Sequence, residues 1–268
     1  MLPVSRNLKM YFGAVGLFAL WVGVWGFFVP TEVDRAIPWL VPPLHARFIG
    51  AIYFSATVVM FGGMLAGSYA DAKVSILIST IWTGMLFIIS LFYLNEFDFT
   101  HKPVWFWFGA YIVYPIIGAW FLWKHRNLQE PFYGQLLPNL VKKYFLVQGV
   151  VLILLSLALL FLPDVMLNLW PWKITRLLAQ IYSSPFLAYG VASVISSQQK
   201  TWHEIKVVAT SIFVFAILIL IASFIHIELF SFERIASYVW FGGFLISANI
   251  LGLLTIKSIQ NGRTNESS

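Results

Sequence analysis

The stretch "VSILISTIWTGMLFIISLFYL", residues 74–94, contains no charged side chain. An α-helix rises 1.5 Å per residue, so about 20 apolar residues cross the ~30 Å hydrocarbon core of a bilayer, and this stretch is long enough to do so. Similar runs recur along the chain and predict eight spans, at residues 10–29, 48–70, 74–94, 104–123, 144–162, 181–197, 207–227 and 235–256. The sequence therefore predicts an all-α, polytopic membrane protein with eight transmembrane helices.

The composition agrees with this class. The chain has 268 residues, of which 60% are hydrophobic and only 10% are charged, too few to cover a soluble protein of this size. It contains no cysteine, which excludes disulfides, thiolate metal sites and cysteine nucleophiles. The net charge of +6 is not gathered into a basic cluster with interleaved aromatics, so the lipid bilayer is the expected partner and nucleic acid is not.

The distribution of Lys and Arg predicts the orientation of the chain. One side of the predicted bundle holds six of them, Arg35, Arg47, Lys102, Lys173, Arg176 and Arg234. The other 11 of the 17 lie on the side that carries both termini. Because cytoplasmic loops are enriched in Lys and Arg, both termini are expected in the cytoplasm.

A single constant offset aligns the first half of the chain with the second without a gap. The alignment superimposes identical residues in distinctive positions, pairing Pro30 with Pro163, Pro38 with Pro171, Trp39 with Trp172, Lys73 with Lys206 and Trp107 with Trp240. We therefore predict two parallel four-helix repeats, at residues 1–126 and 143–258, joined by a cytoplasmic linker at 127–142 and followed by a disordered tail at 259–268. Because each repeat has an even number of spans, the repeats have the same orientation and are related by an axis along the membrane normal.

Each repeat joins its first two spans by a Pro- and Trp-rich segment, here called an arm. The first arm lies in "FVPTEVDRAIPWLVPPLHAR", residues 28–47, and the second in "FLPDVMLNLWPWKITRLLAQ", residues 161–180. Proline breaks helices and Trp favours the headgroup layer, so each arm is expected in the outer interface as a broken helix or partly re-entrant segment. An arm of this kind is either a structural cap on two helices or a surface that contacts a ligand.

Arg47 opens the second span, and its partner in the second repeat is Gln180. It belongs either to an ion-pair network that holds the arm or to a site that recognises an anionic headgroup or carboxylate. The second alternative gives the candidate ligand-binding residues Arg47, His45, Trp39, Trp172 and Gln180.

The connections after the third span of each repeat carry the other polar candidates, Glu96, Asp98, His101, His226 and Glu228. They are solvated helix ends, an ion or metal site, or an acid/base pair. Elsewhere, glycines within the spans are expected at close helix contacts, namely Gly23, Gly26, Gly63, Gly67, Gly242 and Gly243. No cofactor is predicted, because the sequence lacks nucleotide-binding glycine loops, a nucleophile elbow and paired transmembrane histidines.

The first arm and the span after it resemble a family of bacterial multi-pass membrane proteins with the pattern P-W-x-x-T-P-L-x-A-R-x-I-G-A. Residues 38–51 match it except at Pro42, which stands where Thr is usual. The second arm keeps Pro171, Trp172 and Thr175 but has Gln180 for the Arg. The resemblance implies a bacterial inner-membrane location and brings no activity with it.

Three functions follow from these patterns. The favoured one is binding or translocation of a lipid or apolar small molecule in an outward-facing groove between the two repeats, without enzymatic activity. The second is an accessory or assembly subunit that packs against a larger membrane complex. The third is a membrane enzyme that uses the outer Glu, Asp and His side chains. A groove lined by aromatics and Arg47 favours the first, whereas a filled interior favours the second.

Overall fold

The computed structural model describes residues 2–128 and 136–266, with side chains to residue 256. The described residues form helices and turns and contain no β-strand. The α-helices are α1 (Arg6–Phe28), α2 (Pro43–Met64), α3 (Tyr69–Phe92), α4 (Lys102–Lys124), α5 (Asn139–Phe161), α6 (Pro163–Leu169), α7 (Arg176–Gln198), α8 (Trp202–Ile225) and α9 (Ile235–Glu266). Short 3-10 helices lie at Pro30–Arg35, Leu94–Glu96 and Ile227–Leu229.

Eight of these helices, all except α6, are long and apolar enough to cross a membrane. Their order and approximate positions match the eight predicted spans. The predicted fold class is therefore confirmed: the protein is an all-α polytopic membrane protein.

The helices begin earlier than the hydrophobic runs do. Helix α1 starts at Arg6 rather than at residue 10, and α2, α3, α5, α7 and α8 each start more than one turn before the predicted span. Side-chain caps fix several of these starts, because Ser5, Ser68 and Thr175 each accept a hydrogen bond from a backbone N–H of the first turn. Charged residues such as Lys9 and Lys73 therefore lie inside the first turns, where a helix extends beyond the apolar part of its sequence.

The two predicted irregular segments are shorter than expected. Helix α9 continues to Glu266, so the prediction of a disordered tail at 259–268 is wrong up to that residue, and residues 267–268 lie outside the described part. A helix can extend beyond its apolar residues because its backbone hydrogen bonds are made within the helix. In the predicted linker, residues 129–135 lie outside the described part, Leu137 N donates to Lys200 O, and α5 begins at Asn139.

Helices α2, α3, α7 and α8 form the centre of the bundle, and α1, α4, α5 and α9 surround it. Helices α2 and α7 bury 78% and 72% of their spans, whereas α5 and α9 bury 22% each. Helix α1 packs on α2, α4 on α3, α5 on α7 and α9 on α8. The first half, α1–α4, meets the second half, α5–α9, through α2 against α8 and α3 against α7.

Many contacts within one half have a counterpart at the equivalent positions of the other. Trp107 Nε1 donates to Ser90 Oγ at 3.0 Å, and Trp240 Nε1 donates to Ser223 Oγ at 3.0 Å. The ring of Trp39 lies 5.3 Å from that of Phe97, and the corresponding centroid distance from Trp172 to Phe230 is 5.5 Å. The arm of each half thus packs on the connection between its third and fourth spans by the same aromatic contact.

Glycines bring two pairs of helices into backbone contact. A Cβ on Gly26 would lie 2.7 Å from the carbonyl oxygen of Ala46, and a Cβ on Gly50 would lie 2.8 Å from the carbonyl carbon of Gly26, so α1 and α2 touch there. In the second half Gly149 and Gly190 bring α5 and α7 together in a similar way. Among the predicted glycine contacts, Gly26 and Gly63 are tight. By contrast, no described atom lies within 4 Å of a Cβ on Gly67, Gly242 or Gly243.

Candidate functional site

The two arms lie at the same end of the bundle as the connections at 93–101 and 226–234, and this end is here called the arm face. The first arm contains the 3-10 helix Pro30–Arg35 and the second contains α6. Both are short broken helices, as predicted. Trp172, however, is only 4% exposed, so its indole packs against other side chains of the protein and is not presented to lipid headgroups. The aromatic rings around it provide an apolar site for its indole.

The aromatic box consists of six rings of the second half that surround Phe48 of α2. Phe48 is fully buried, and its centroid lies 4.5 to 6.4 Å from those of Trp170, Trp172, Tyr182, Phe186, Phe215 and Trp240. The equivalent residue of the second half is Ile181, so this insertion has no aromatic counterpart there. The predicted ligand residue Trp172 is thus part of the packing between the halves.

His45, also predicted to bind a ligand, is buried beside the aromatic box. Its Nδ1 lies 2.8 Å from the hydroxyl oxygen of Tyr182, and the indole nitrogen of Trp172 lies 3.5 Å from the same atom. Because Trp can only donate, Nδ1 acts as the acceptor in that longer contact. These hydrogen bonds link α2 to the second arm and to α7.

Arg47 bonds to the second half rather than pointing into an open groove. Its Nη1 lies 2.5 Å from Nε2 of His226, and Nδ1 of His226 lies 3.6 Å from Oε1 of Glu228. A guanidinium has only donors, so Nε2 must accept and the imidazole proton sits on Nδ1, facing the carboxylate. Burial and the charge of Arg47 lower the pKa of His226, while Glu228 acts in the opposite direction.

A neutral bond occupies the equivalent place on the other side of the bundle. The hydroxyl of Tyr93 donates to Oε1 of Gln180 at 2.6 Å, and Nε2 of Gln180 donates to the carbonyl oxygen of Leu160 at 2.8 Å. In the alignment of the two halves, Tyr93 corresponds to His226 and Gln180 corresponds to Arg47. Arg47–His226 and Gln180–Tyr93 are thus a matched pair of cross-half bridges at equivalent positions, and of this pair only the first contains an imidazole.

The Arg47–His226 bridge predicts an acid-sensitive stability. In the folded protein the pKa of His226 is lower than its ordinary value of about 6.5, so the unfolded state binds more protons under mildly acidic conditions. The free energy of unfolding therefore decreases as the pH is lowered. Protonated His226 has no lone pair to accept from Arg47. We expect the unfolding midpoint to fall more steeply between about pH 7 and pH 5 in the wild type than in the double variant Arg47→Gln/His226→Tyr.

This double variant copies the Gln180–Tyr93 bridge, so it tests titration without removing the link. Thermal unfolding in detergent at a series of pH values is the measurement. The single variant Arg47→Gln, whose amide donor is on a shorter side chain than the guanidinium that bonds His226, is expected to be less stable than the double variant at neutral pH. Equal pH slopes in the wild type and the double variant would contradict the assignment.

The predicted metal ligands do not converge. Asp98 accepts bonds from the backbone N–H and the hydroxyl of Thr100, which lower the pKa of its carboxyl, and its Oδ2 lies 3.9 Å from Nε2 of His101. Within residues 2–128 and 136–256, no group of three His, Asp or Glu side chains could hold a metal ion. The side chains pair within their own connections because each chain reversal brings only its own neighbours together, and the metal hypothesis gains no support.

The cavity under the first arm, between the halves, has a volume of about 20 Å³. Trp39 and Trp107 of the first half and Tyr182 of the second contribute to its walls. A second cavity, of about 30 Å³, lies inside the first half, and Tyr53 and Tyr111 are among the residues that line it. A water molecule needs about 10–15 Å³ of such space, so each cavity has room for no more than a few waters. The cavity under the first arm is therefore too small for a lipid or apolar ligand and lends no support to the groove that was predicted beneath the arms.

A larger groove, of about 550 Å³, lies between the peripheral helices α1 and α4. It is lined by apolar and aromatic side chains with two cations at its arm-face end: Ala14, Leu17, Phe18, Trp21, Arg35, Ala36, Lys102, Pro103, Phe106 and Tyr114. Phe18 is buried and forms its floor, while Trp21 and Phe106 are more than half exposed. The volume falls within the ~300–1,000 Å³ typical of small-molecule pockets.

Sequence reasoning missed this α1/α4 groove. The signal that could have found it is a difference in charge between the two halves, since Arg35 and Lys102 correspond to Asn168 and Ile235 in their alignment. The same comparison singled out Arg47, whose partner is Gln180. Spacing alone does not show that two peripheral spans leave a gap between them.

Comparison of the chain with protein-family models, with curated proteins and with solved structures gave no match.

Proposed function

We propose that the protein binds a lipid of the surrounding bilayer in the α1/α4 groove, as a bacterial inner-membrane protein with both termini in the cytoplasm. The groove is the observation that carries this proposal. Its walls come from two spanning helices, and Leu17 in it is 63% exposed on the side that faces the hydrocarbon. An occupant therefore enters sideways from the bilayer, where lipid is by far the most abundant molecule.

The length of the groove fits one leaflet. On α4 it extends from Lys102 to Tyr114, which at 1.5 Å per residue is about 18 Å. One leaflet contributes about half of the ~30 Å hydrocarbon core. An acyl chain lying along Phe18 and Tyr114, with its headgroup at the arm face, fills this length. The excess of Lys and Arg on the opposite side supports placing the arm face, and hence the bound lipid, in the outer leaflet.

Two four-helix repeats derived from one duplicated unit are part of the same proposal. Two pairs of matching contacts support it. Trp107 and Trp240 make the same hydrogen bond in their respective halves, and Trp39 and Trp172 make the same ring contact. Under this proposal the two copies diverged, and lipid binding belongs to the first.

Filling the groove tests the proposed function. Ala14 lines the groove, and the ring of an Ala14→Phe variant would occupy space that the acyl chain needs. Overpacking of this kind costs about 1–3 kcal/mol, so we expect roughly tenfold less co-purified lipid in native mass spectra of the gently solubilised protein.

The control is Ile88→Phe, which adds a ring at a 55% exposed position of α3 outside the groove and should leave lipid retention unchanged. Retention that is the same in the wild type, Ala14→Phe and Ile88→Phe would refute the proposal.

A further inference from the structure

The arm-face end of the α1/α4 groove carries two cations, Arg35 of the first arm and Lys102, the first residue of α4. Resting on the proposed function, we infer that this end selects the headgroup of an anionic phospholipid over a zwitterionic one. The apolar walls accept an acyl chain of any phospholipid, so the discrimination must come from these two side chains and from what surrounds them.

Arg35 is held in place by its neighbours. Its Nε lies 2.6 Å from Oε2 of Glu32, and its guanidinium carbon lies 5.2 Å from the centroid of the Trp25 ring. The ion pair engages Nε and leaves the η nitrogens for another acceptor. A planar guanidinium with two such donors matches phosphate oxygens, and a pre-positioned one loses little entropy on binding.

Lys102 adds a second positive charge at the start of a helix. It precedes Pro103 in the first turn of α4, so the partial positive charge of the helix N-terminus is added to that of the ammonium group. The carboxylate of Asp98, in the preceding connection, is already hydrogen-bonded by Thr100. Lys102 would repel the cationic group of a zwitterionic headgroup. It would not repel a headgroup whose only charged group is the phosphate.

The charged side chains that line the groove are both cations, Arg35 and Lys102. Glu32 pairs with Arg35 and offsets one of these two charges, which leaves one positive charge in the lining. At about 1 kcal/mol per basic residue near a membrane surface, one uncompensated charge corresponds to roughly fivefold discrimination between headgroups.

The second half shows that the cations are not a requirement of the fold. Asn168 and Ile235 occupy the positions equivalent to Arg35 and Lys102. Asn168 is engaged locally, since its side-chain nitrogen donates to Asp164 O and its own carbonyl oxygen accepts from Arg234. The same arm and the same helix start are therefore built without either groove cation.

The test is competition between phosphatidylglycerol and phosphatidylcholine of identical acyl chains, added to the full-length protein in detergent and counted by native mass spectrometry. We expect the wild type to retain phosphatidylglycerol about fivefold over phosphatidylcholine, and the double variant Arg35→Gln/Lys102→Gln to retain both equally. The matched control is Lys173→Gln/Arg234→Gln, which removes two exposed cations of the arm face from the second half and should keep the preference.

The outcomes separate the inference from the function on which it rests. Lipid retained by the wild type without headgroup preference, or a preference lost equally in the control double variant, overturns the inference and leaves acyl-chain binding in place. Failure of the proposed function is recognised separately, because Ala14→Phe would then retain as much of each lipid as the wild type does.

Discussion

Gly50→Val is expected to destabilise the protein by more than about 3 kcal/mol, at the upper end of what overpacking costs, because the added atoms meet backbone rather than a movable side chain. A Cβ on Gly50 would contact the backbone nitrogen of Phe27 and lie 2.8 Å from the carbonyl carbon of Gly26. Helices α1 and α2, which make the most extensive helix–helix contact among the described residues, would have to separate. Unfolding in mixed micelles, followed by the fluorescence of the buried tryptophans, measures the loss.

Gly109→Ala is the control for this prediction. No described atom lies within 4 Å of a Cβ at this helical position, and Ala is favoured over Gly in a helix by about 0.5–1 kcal/mol. The control should therefore be as stable as the wild type or slightly more so. A wild-type midpoint for Gly50→Val would mean that α1 and α2 do not touch at this site.

Phe48→Ala should cost about 3–5 kcal/mol, as large-to-small changes of buried aromatics do when their surroundings cannot collapse. The six rings of the aromatic box are themselves packed against one another, for example Trp172 against Trp240 at 4.8 Å, and so cannot follow the missing side chain. The loss weakens the junction between the halves. We expect a lower unfolding midpoint in mixed micelles and faster overall proteolysis of the protein.

Two further variants check the cause of this loss. Phe48→Ile introduces the residue of the equivalent position 181 and should recover part of the stability. Phe92→Ala removes a ring that is 81% exposed and should have little effect. Losses of similar size in Phe48→Ala and Phe92→Ala would contradict the role assigned to the aromatic box.

The fold class could be predicted from sequence because the bilayer imposes a length and polarity on each span. The helix starts could not, because hydropathy marks the edge of the apolar core while the helix itself begins at a capping residue several positions earlier. Ser68 and Thr175 illustrate this, since each caps a helix whose first turn contains a charged residue. The late end of α9 has the same origin, because helical hydrogen bonding does not depend on apolar side chains.

The candidate site was less predictable. Arg47 was identified as a polar residue with two alternative roles, but its partner His226 is 179 residues away and becomes adjacent only when the halves pack. Trp172 was placed in the interface on the general preference of indoles, although here neighbouring aromatics bury it. The groove depends on how far apart α1 and α4 stand, which neither periodicity nor composition specifies.

The aromatic box also determines how the two halves recognise each other. Phe48 of the first half inserts among rings that belong to the second half, and the equivalent position of the second half carries Ile181. The two sides of the junction between the halves are therefore not alike. On the other side of the junction Ile181 and the first-half rings of Trp39, Tyr53, Trp82 and Trp107 line a cavity of about 20 Å³. The contact between the halves is therefore filled completely around Phe48 and less completely around Ile181.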